Sequence, residues 1–184
     1  YATSSDSKRM IAVNATDGSR LWRSASASGD WLGAPTVSDD GLIVYATGRS
    51  ESVTAYHTAD GSLRWEGEST HRDMDSKPVL SVDGGELYAA GDSGRVYGFD
   101  SSTGAISWQT VDTGVPIRGE LRLSEDGSAV YVGTHDGHRG HYEHNSLYAF
   151  STLDGAALWA HCYCPPTEAP TGTPTEVPTH APSN

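Results

Sequence analysis

An all-β fold of repeated four-stranded antiparallel blades, a β-propeller or part of one, is predicted by three observations. Four segments align without gaps around a Gly followed four residues later by a Trp: AVNATDGSRLW ending at Trp22, AYHTADGSLRW at Trp65, GFDSSTGAISW at Trp108 and AFSTLDGAALW at Trp159. These tryptophans stand 43, 43 and 51 residues apart. A second motif, TVSDDGLIVYATG from Thr36, VLSVDGGELYAAG from Val79 and RLSEDGSAVYVGT from Arg122, sets Gly41, Gly84 and Gly127 at the same interval of 43. Between these landmarks run short alternating apolar stretches, separated by Asp-Gly and Thr-Gly pairs that supply the positive φ of tight hairpins. A unit of 40 to 50 residues with four such strands has the size of a propeller blade.

The elements follow in order. YAT at Tyr1 aligns with VYAT at Val44 to Thr47, so the first blade opens on its second strand and lacks its innermost one. The next unit supplies strands near Ala34 to Ser38, Leu42 to Thr47, Val53 to His57 and Leu63 to Glu66, and two further units repeat it. Three blades are complete and one lacks a strand. The propeller is assigned to residues 1–161 and a tail to residues 162–184. Large aromatics at a fixed repeat position fill the space between units, so Trp22, Trp65, Trp108 and Trp159 are expected to pack each blade on its neighbour. Trp31 lies outside this register. Asp17, Asp40, Asp60, Asp83, Asp126 and Asp154 occupy turn positions where the carboxylate bonds its own backbone, which explains them without a metal.

A strand ending in a Tyr-Ala-Leu-Asp-like tetrad, then a Thr-Gly or Asp-Gly turn, then a Trp, resembles the propeller repeats named after the pyrroloquinoline quinone (PQQ) dehydrogenases. Non-enzymatic scaffold proteins share these repeats. VYGFDSSTGAISW, Val96 to Trp108, matches best, and the resemblance covers Tyr1 to about His161. It implies a ring of more than four blades. An open arc would leave the apolar faces of its end blades in water, and patches beyond a few hundred Å² rarely stay bare on a monomer. Covering by an N-terminal part of the same chain, by a second copy or by successive copies is therefore expected, with a closed four-blade ring as the weaker alternative.

The formal charge of -12 repels nucleic-acid phosphates and anionic membranes, so neither is an expected partner. No apolar run approaches the roughly 20 residues of a spanning helix, and the start is not that of a signal peptide. Tyr1 in place of Met, inside a strand-like pattern, points to processing or to an N-terminal extension.

After HCYC the composition turns to PPTEAPTGTPTEVPTHAPSN, with prolines largely four apart. Such a segment reads as extended polyproline-like chain and resembles mucin-like stalks, which makes Thr167, Thr171, Thr173, Thr175 and Thr179 candidate O-glycosylation sites. The tail is expected to lie against its own propeller, a neighbouring copy or a coat of glycans. Asn14-Ala15-Thr16 is an N-glycosylation sequon at a turn. Cys162 and Cys164 are one residue apart, a spacing that strains a mutual disulfide, so each is expected to pair outside this segment. Sequon, tail and cysteines together point to an extracellular glycoprotein.

Tyr88 to Tyr97 is nine residues and Tyr131 to Tyr148 is seventeen, so the last blade carries an eight-residue insertion between its second and third strands. The inserted THDGHRGHYEHN places His135, His138, His141 and His144 at a spacing of three. Gly137 and Gly140 argue against a regular helix, whereas a period of three aligns side chains on one edge of an extended or 3₁₀ segment. Zinc or copper needs three or four converging donors, and Asp136 and Glu143 could add oxygens. A solvated or partner-contacting loop is the competing reading and the commoner one for polar loop tips. His57, His71, His161 and His180 are scattered.

Two function classes remain. PQQ dehydrogenases hold quinone and calcium with acidic and amide side chains, a Trp platform and an adjacent-cysteine disulfide. This chain has no vicinal Cys pair, and none of those ligands transfers residue by residue. No nucleophile fingerprint, phosphate loop or acid/base pair is present either. No cofactor is expected beyond zinc or copper at the histidine loop. The favoured reading is a secreted, glycosylated structural or interaction propeller that joins other copies of itself or further blades into an extracellular assembly or filament. The alternatives are a PQQ-dependent dehydrogenase fragment and a glycan- or metal-binding propeller.

Overall fold

The computed structural model describes residues 1–4, 9–25, 34–48, 51–74, 76–134 and 146–162. His135, His138, His141, His144, Trp31, Cys164 and the tail threonines 167, 171, 173, 175 and 179 lie outside these. For Cys162 the backbone alone is described.

Among the described residues, fifteen strands form four antiparallel sheets. Blade 1 holds β1 (Ala2–Ser4), β2 (Arg9–Val13) and β3 (Arg20–Arg23) in that order. Blade 2 holds β4 (Thr36–Val37), β5 (Ile43–Ala46), β6 (Thr54–His57) and β7 (Leu63–Glu66). Blade 3 comprises β8 (Val79–Leu80), β9 (Glu86–Ala90), β10 (Val96–Asp100) and β11 (Ile106–Gln109). Blade 4 comprises β12 (Arg122–Leu123), β13 (Ala129–Gly133), β14 (Ser146–Ser151) and β15 (Ala157–Cys162). The protein is thus an all-β chain of propeller blades, three with four strands and one with three described. Its β15 reaches one residue past the boundary drawn at 161.

Each blade is a meander of sequential antiparallel strands, and its described turns are written locally. In the first hairpin of blades 2 to 4, Ser38, Ser81 and Ser124 donate their hydroxyls to Asp40, Asp83 and Asp126 at 2.6 Å. Each Ser Oγ also accepts the N–H of the residue that opens the next strand, Ile43, Glu86 or Ala129. Gly41, Gly84 and Gly127 follow with φ of 72 to 73°, where a Cβ is costly. Between the third and fourth strands the register shifts by a bulge in all four blades, at Ala12/Val13, Ala55/Tyr56, Gly98/Phe99 and Ala149/Phe150. Such repetition marks the bulge as part of the repeat, and it sharpens the strand twist that fans the blades.

The turn carboxylates carry a pH signature. Hydrogen bonds to neighbouring hydroxyls and backbone N–H groups hold Asp17, Asp40, Asp60, Asp83, Asp100 and Asp154 below the usual carboxylate range. The Ser124 hydroxyl, then the backbone N–H and hydroxyl of Ser128, hold Asp126 down to about 2. A carboxylate depressed in the folded chain stabilises it above its unfolded value, and that contribution is lost as pH falls through the folded value. Stability is therefore expected to decline from about pH 4 toward about pH 2, and to be flat in this respect above pH 5. Carbonyl-detected NMR titration checks it: Asp126 should titrate last, near 2, and a midpoint close to 4 would remove the turn bonds from the account.

The core lies between blades. Met10 of blade 1 packs with Val44, Ala46 and Tyr56 of blade 2. Ile43, Tyr45, Val53 and Ala55 on the other face of blade 2 meet Met74, Leu87, Ala89, Tyr97 and Phe99. Tyr88, Ala90 and Val96 of blade 3 then meet Ile117, Leu121, Val130, Val132 and Phe150. The middle strands of blades 2 and 3, β5, β6, β9 and β10, thus contribute alternate residues to two successive seams, the period-2 logic of a sheet buried on both faces.

Candidate functional site

The seams are built on one device. The Trp22 ring lies on Gly61 of the next blade, where an added Cβ would stand 2.4 Å from its Cε3, and its Nε1–H donates to the Thr58 carbonyl at 2.7 Å. Trp65 lies on Gly104, at 2.6 Å from such a Cβ, and donates to the Ser101 carbonyl at 3.2 Å. Trp108 lies on Gly155, again at 2.6 Å. Inside its own blade each Trp leans on a Tyr of the second strand, in the pairs Tyr1–Trp22, Tyr45–Trp65, Tyr88–Trp108 and Tyr131–Trp159, with centroids 5.6 to 5.9 Å apart. The seat has to be glycine twice over: its φ is 72 to 77°, and any side chain would occupy the place of the indole.

Trp108 departs from the pattern. Its Nε1–H is buried without a partner, whereas the repeat would have it donate to the Thr152 carbonyl. The cause is Gly98, its cross-strand partner on β10. Ala12, Ala55 and Ala149 hold this position opposite the other tryptophans, while without a Cβ at Gly98 the indole settles toward its own sheet, 2.5 Å from where that carbon would be. Gly98→Ala is expected to lift the ring and restore the bond. The gain is about 1 kcal/mol, from a satisfied buried donor and a strand Gly removed. A lowered melting temperature, or an indole N–H proton still without a hydrogen bond by NMR, would refute it.

Among the described residues, both ends of the blade stack are open. On blade 4, Leu147 is 44% exposed, while Val53 and Val96 at the equivalent positions of blades 2 and 3 are 0% exposed. Trp159 is 45% exposed, with no following seat among the described residues. On blade 1, Val13 is 45% exposed where Tyr56, Phe99 and Phe150 are at most 3% exposed. Ala2 is exposed where Ala46, Ala89 and Val132 are buried. Gly18 also differs from its three counterparts: it is exposed, and nothing lies within 4 Å of where its Cβ would be.

The opposite face carries the longer connections and a cleft of about 530 Å³, lined by His71 and Arg72, by Asp92 and Arg95, and by Asp112 and Pro116. Asp92 is clamped by Arg118, with Nε to Oδ1 at 2.9 Å and Nη2 to Oδ2 at 3.2 Å, and Arg95 donates to the Thr110 carbonyl at 2.7 Å. Glu51 and His71 adopt φ of 61° and 58° and are tied through Thr70, whose N–H and hydroxyl both donate to the Glu51 carbonyl. Mixed charge and openness suit weak polar contacts better than enclosure of a cofactor. Between β13 and β14, Thr134 N–H donates to Ser146 O at 2.9 Å.

Asn14 opens the turn that ends at Gly18, its Oδ1 accepting the Thr16 N–H at 2.8 Å. Among the described residues no group of three or more His, Cys, Asp or Glu could hold a metal, and no helix is long and apolar enough to cross a membrane. The glycine seats were not singled out by sequence reasoning, although the gapless Gly-to-Trp alignment contained the signal. The cleft had little such signal: its connections keep the repeat register in their backbone bonds, Thr70 N–H to Glu51 O and Thr113 N–H to Gly94 O, while most of their side chains do not repeat.

The family model described as outer membrane protein assembly factor BamB matches residues 1–137 and 76–174. No curated protein matches the chain. Among solved structures, Kuenenia stuttgartiensis hydrazine synthase aligns with a TM-score of 0.71 at 17% identity, over 85% of this chain and 44% of that one. BamB from Moraxella catarrhalis aligns with a TM-score of 0.61 at 23% identity, over 87% of this chain and 51% of that one. The chain therefore spans about half the length of these structures, which share its fold.

Proposed function

We propose, from the premise that this chain belongs to the PQQ-like propeller-repeat family described as outer membrane protein assembly factor BamB, that it is a non-catalytic interaction module completed by further blades outside the cytoplasm. The observation that carries this reading is the pair of open blade faces among the described residues, where Leu147 and Val13 are exposed at positions buried in the other blades and Trp159 is exposed where Trp22, Trp65 and Trp108 are half-buried. Faces of that composition are seams waiting for a neighbour, and repeat units with open ends stack until capped or closed. The BamB name of the family favours an envelope or extracellular setting. The Asn14 sequon and the Pro/Thr tail favour glycosylation there, at Asn14 and at Thr167, Thr171, Thr173, Thr175 and Thr179. Cys162 and Cys164 would then be bridged to partners beyond this segment, and His135, His138, His141 and His144 would take zinc or copper where they converge.

Native mass spectrometry of unreduced, unchelated material from its source tests this. Expected is a mass above that of the bare chain, resolving into hexose steps, linked copies or additional blades. A bare, unadorned monomer would overturn the reading, and bound quinone absorbance would favour the dehydrogenase instead.

A further inference from the structure

We infer that the two open faces are complementary, so that Trp159 of one copy docks head to tail on the 14–18 turn of a second copy, over Gly18. The inference rests on the reading above that these faces are seams. Trp159 has every attribute of the docked Trp22 and Trp65 except a seat: the Tyr partner, at 5.9 Å, the cross-strand Ala, here Ala149, and the position on the last strand of its blade. Gly18 has every attribute of the three occupied seats except an indole. Its φ is +72°, and its N–H donates four residues back, to Asn14 O at 2.9 Å, as Gly61, Gly104 and Gly155 donate to His57, Asp100 and Ser151. Three residues before the seat stands the carbonyl that takes the indole N–H in the formed seams, Thr58 and Ser101. In blade 1 this is Ala15.

The polarity of every formed seam is the same, the Trp of one blade on the Gly of the following blade, so the plug of blade 4 fits the socket of blade 1 and no other. This is a heterologous contact, which repeats until the rotation closes it. A second copy is the occupant the dimensions favour. The chain covers 44% and 51% of the two aligned structures, so completing a fold of that length takes about as much chain again. The exposed apolar side chains agree in kind, Leu147 and Trp159 on one face against Val13 and Ala2 on the other.

Sedimentation of the full recombinant chain, made without glycans, is the test, with two single variants and their mixture. Trp159→Ala removes the plug. Gly18→Asn fills the socket with a residue that tolerates positive φ, and each variant leaves the opposite end intact. Wild type is expected as a dimer or as longer head-to-tail species. Each variant should raise the dissociation constant roughly thirtyfold or more, the effect of losing a buried Trp anchor. An equimolar mixture should recover a 1:1 complex, because the Gly18→Asn copy still carries Trp159 and the Trp159→Ala copy still carries the seat. A wild type that stays monomeric at 100 micromolar (about −5.5 kcal/mol as a dissociation constant), or variants that assemble like wild type, would overturn the docking while leaving glycosylation and other partners open to the source-material masses. A longer natural chain whose own blades cover both faces would overturn it too.

Discussion

Gly104→Ala is expected to destabilise the chain by about 3 kcal/mol, and Gly18→Ala, the same change at the same repeat position, by about 1 kcal/mol. Both glycines have φ above 70°, so both pay the steric cost of a Cβ in the left-handed region. Only at Gly104 does that carbon meet anything: Trp65 Cε3 at 2.6 Å and the Gly67 Cα at 2.8 Å. The second contact is backbone, so the clash is not relieved by turning a side chain. The indole must leave its seat, and with it goes the bond to the Ser101 carbonyl. At Gly18 nothing lies within 4 Å. The difference of about 2 kcal/mol isolates the seam from the turn, and should appear as a gap of roughly 4 to 8 °C between the two melting temperatures. Equal losses would mean that the tryptophans decorate the seams without closing them. The comparison is made on dilute protein, because a second copy on Gly18 would narrow the gap.

What was legible in the sequence is what the repeat writes four times. Tyr1 is a case in point: a terminal YAT would ordinarily carry no information, yet its alignment with Val44 to Thr47 placed it on a second strand, and its ring stands 5.7 Å from Trp22 as the register demands. The hairpin turns were equally readable, because Ser-x-Asp-Gly and Asp-Gly bonds are local and need no partner from elsewhere in the chain. The eight-residue insertion fell between β13 and β14, as counting between tyrosines required. Its four histidines, at residues 135 to 144, lie outside the described residues.

The remainder depended on what lies across a seam. Leu147 reads in the sequence as one more inward apolar residue, identical in pattern to Val53 and Val96, and it is a surface residue because no blade stands beside it among the described residues. Likewise the glycines before each Trp serve as turn residues in any local reading, and their second role as seats comes from an indole some forty residues away. The partnerless Trp108 N–H follows from one missing methyl at Gly98, a departure visible in the alignment but without meaning until the ring's position is known. The cleft joins residues from three connections, of which 70–74 and 113–117 repeat the same backbone bonds one period of 43 apart, but the side chains differ, His71 and Arg72 standing where Gly114 and Val115 stand, which is why no sequence pattern announced it.

Phe99→Ala should cost about 3 to 5 kcal/mol, whereas Val13→Ala, at the same position of blade 1, should cost well under about 1 kcal/mol in dilute monomer. Phe99 is fully buried, in the seam that blade 3 forms with blade 2 through Ile43, Tyr45 and Ala55. Truncating it leaves a cavity between two sheets, each already held by its own hairpins, so the space cannot be closed by a local shift. Val13 faces outward at 45% exposure, and its methyl groups have little to lose where no neighbouring blade stands. Urea unfolding of both variants measures the pair. The informative condition is a concentration series: if blade 1 is covered by a second copy, the Val13→Ala loss should grow with protein concentration toward the value of a buried valine, while the Phe99→Ala loss stays fixed. A Val13→Ala loss that is large and independent of concentration would mean that blade 1 is covered by the chain's own residues, and that its face is not an open seam.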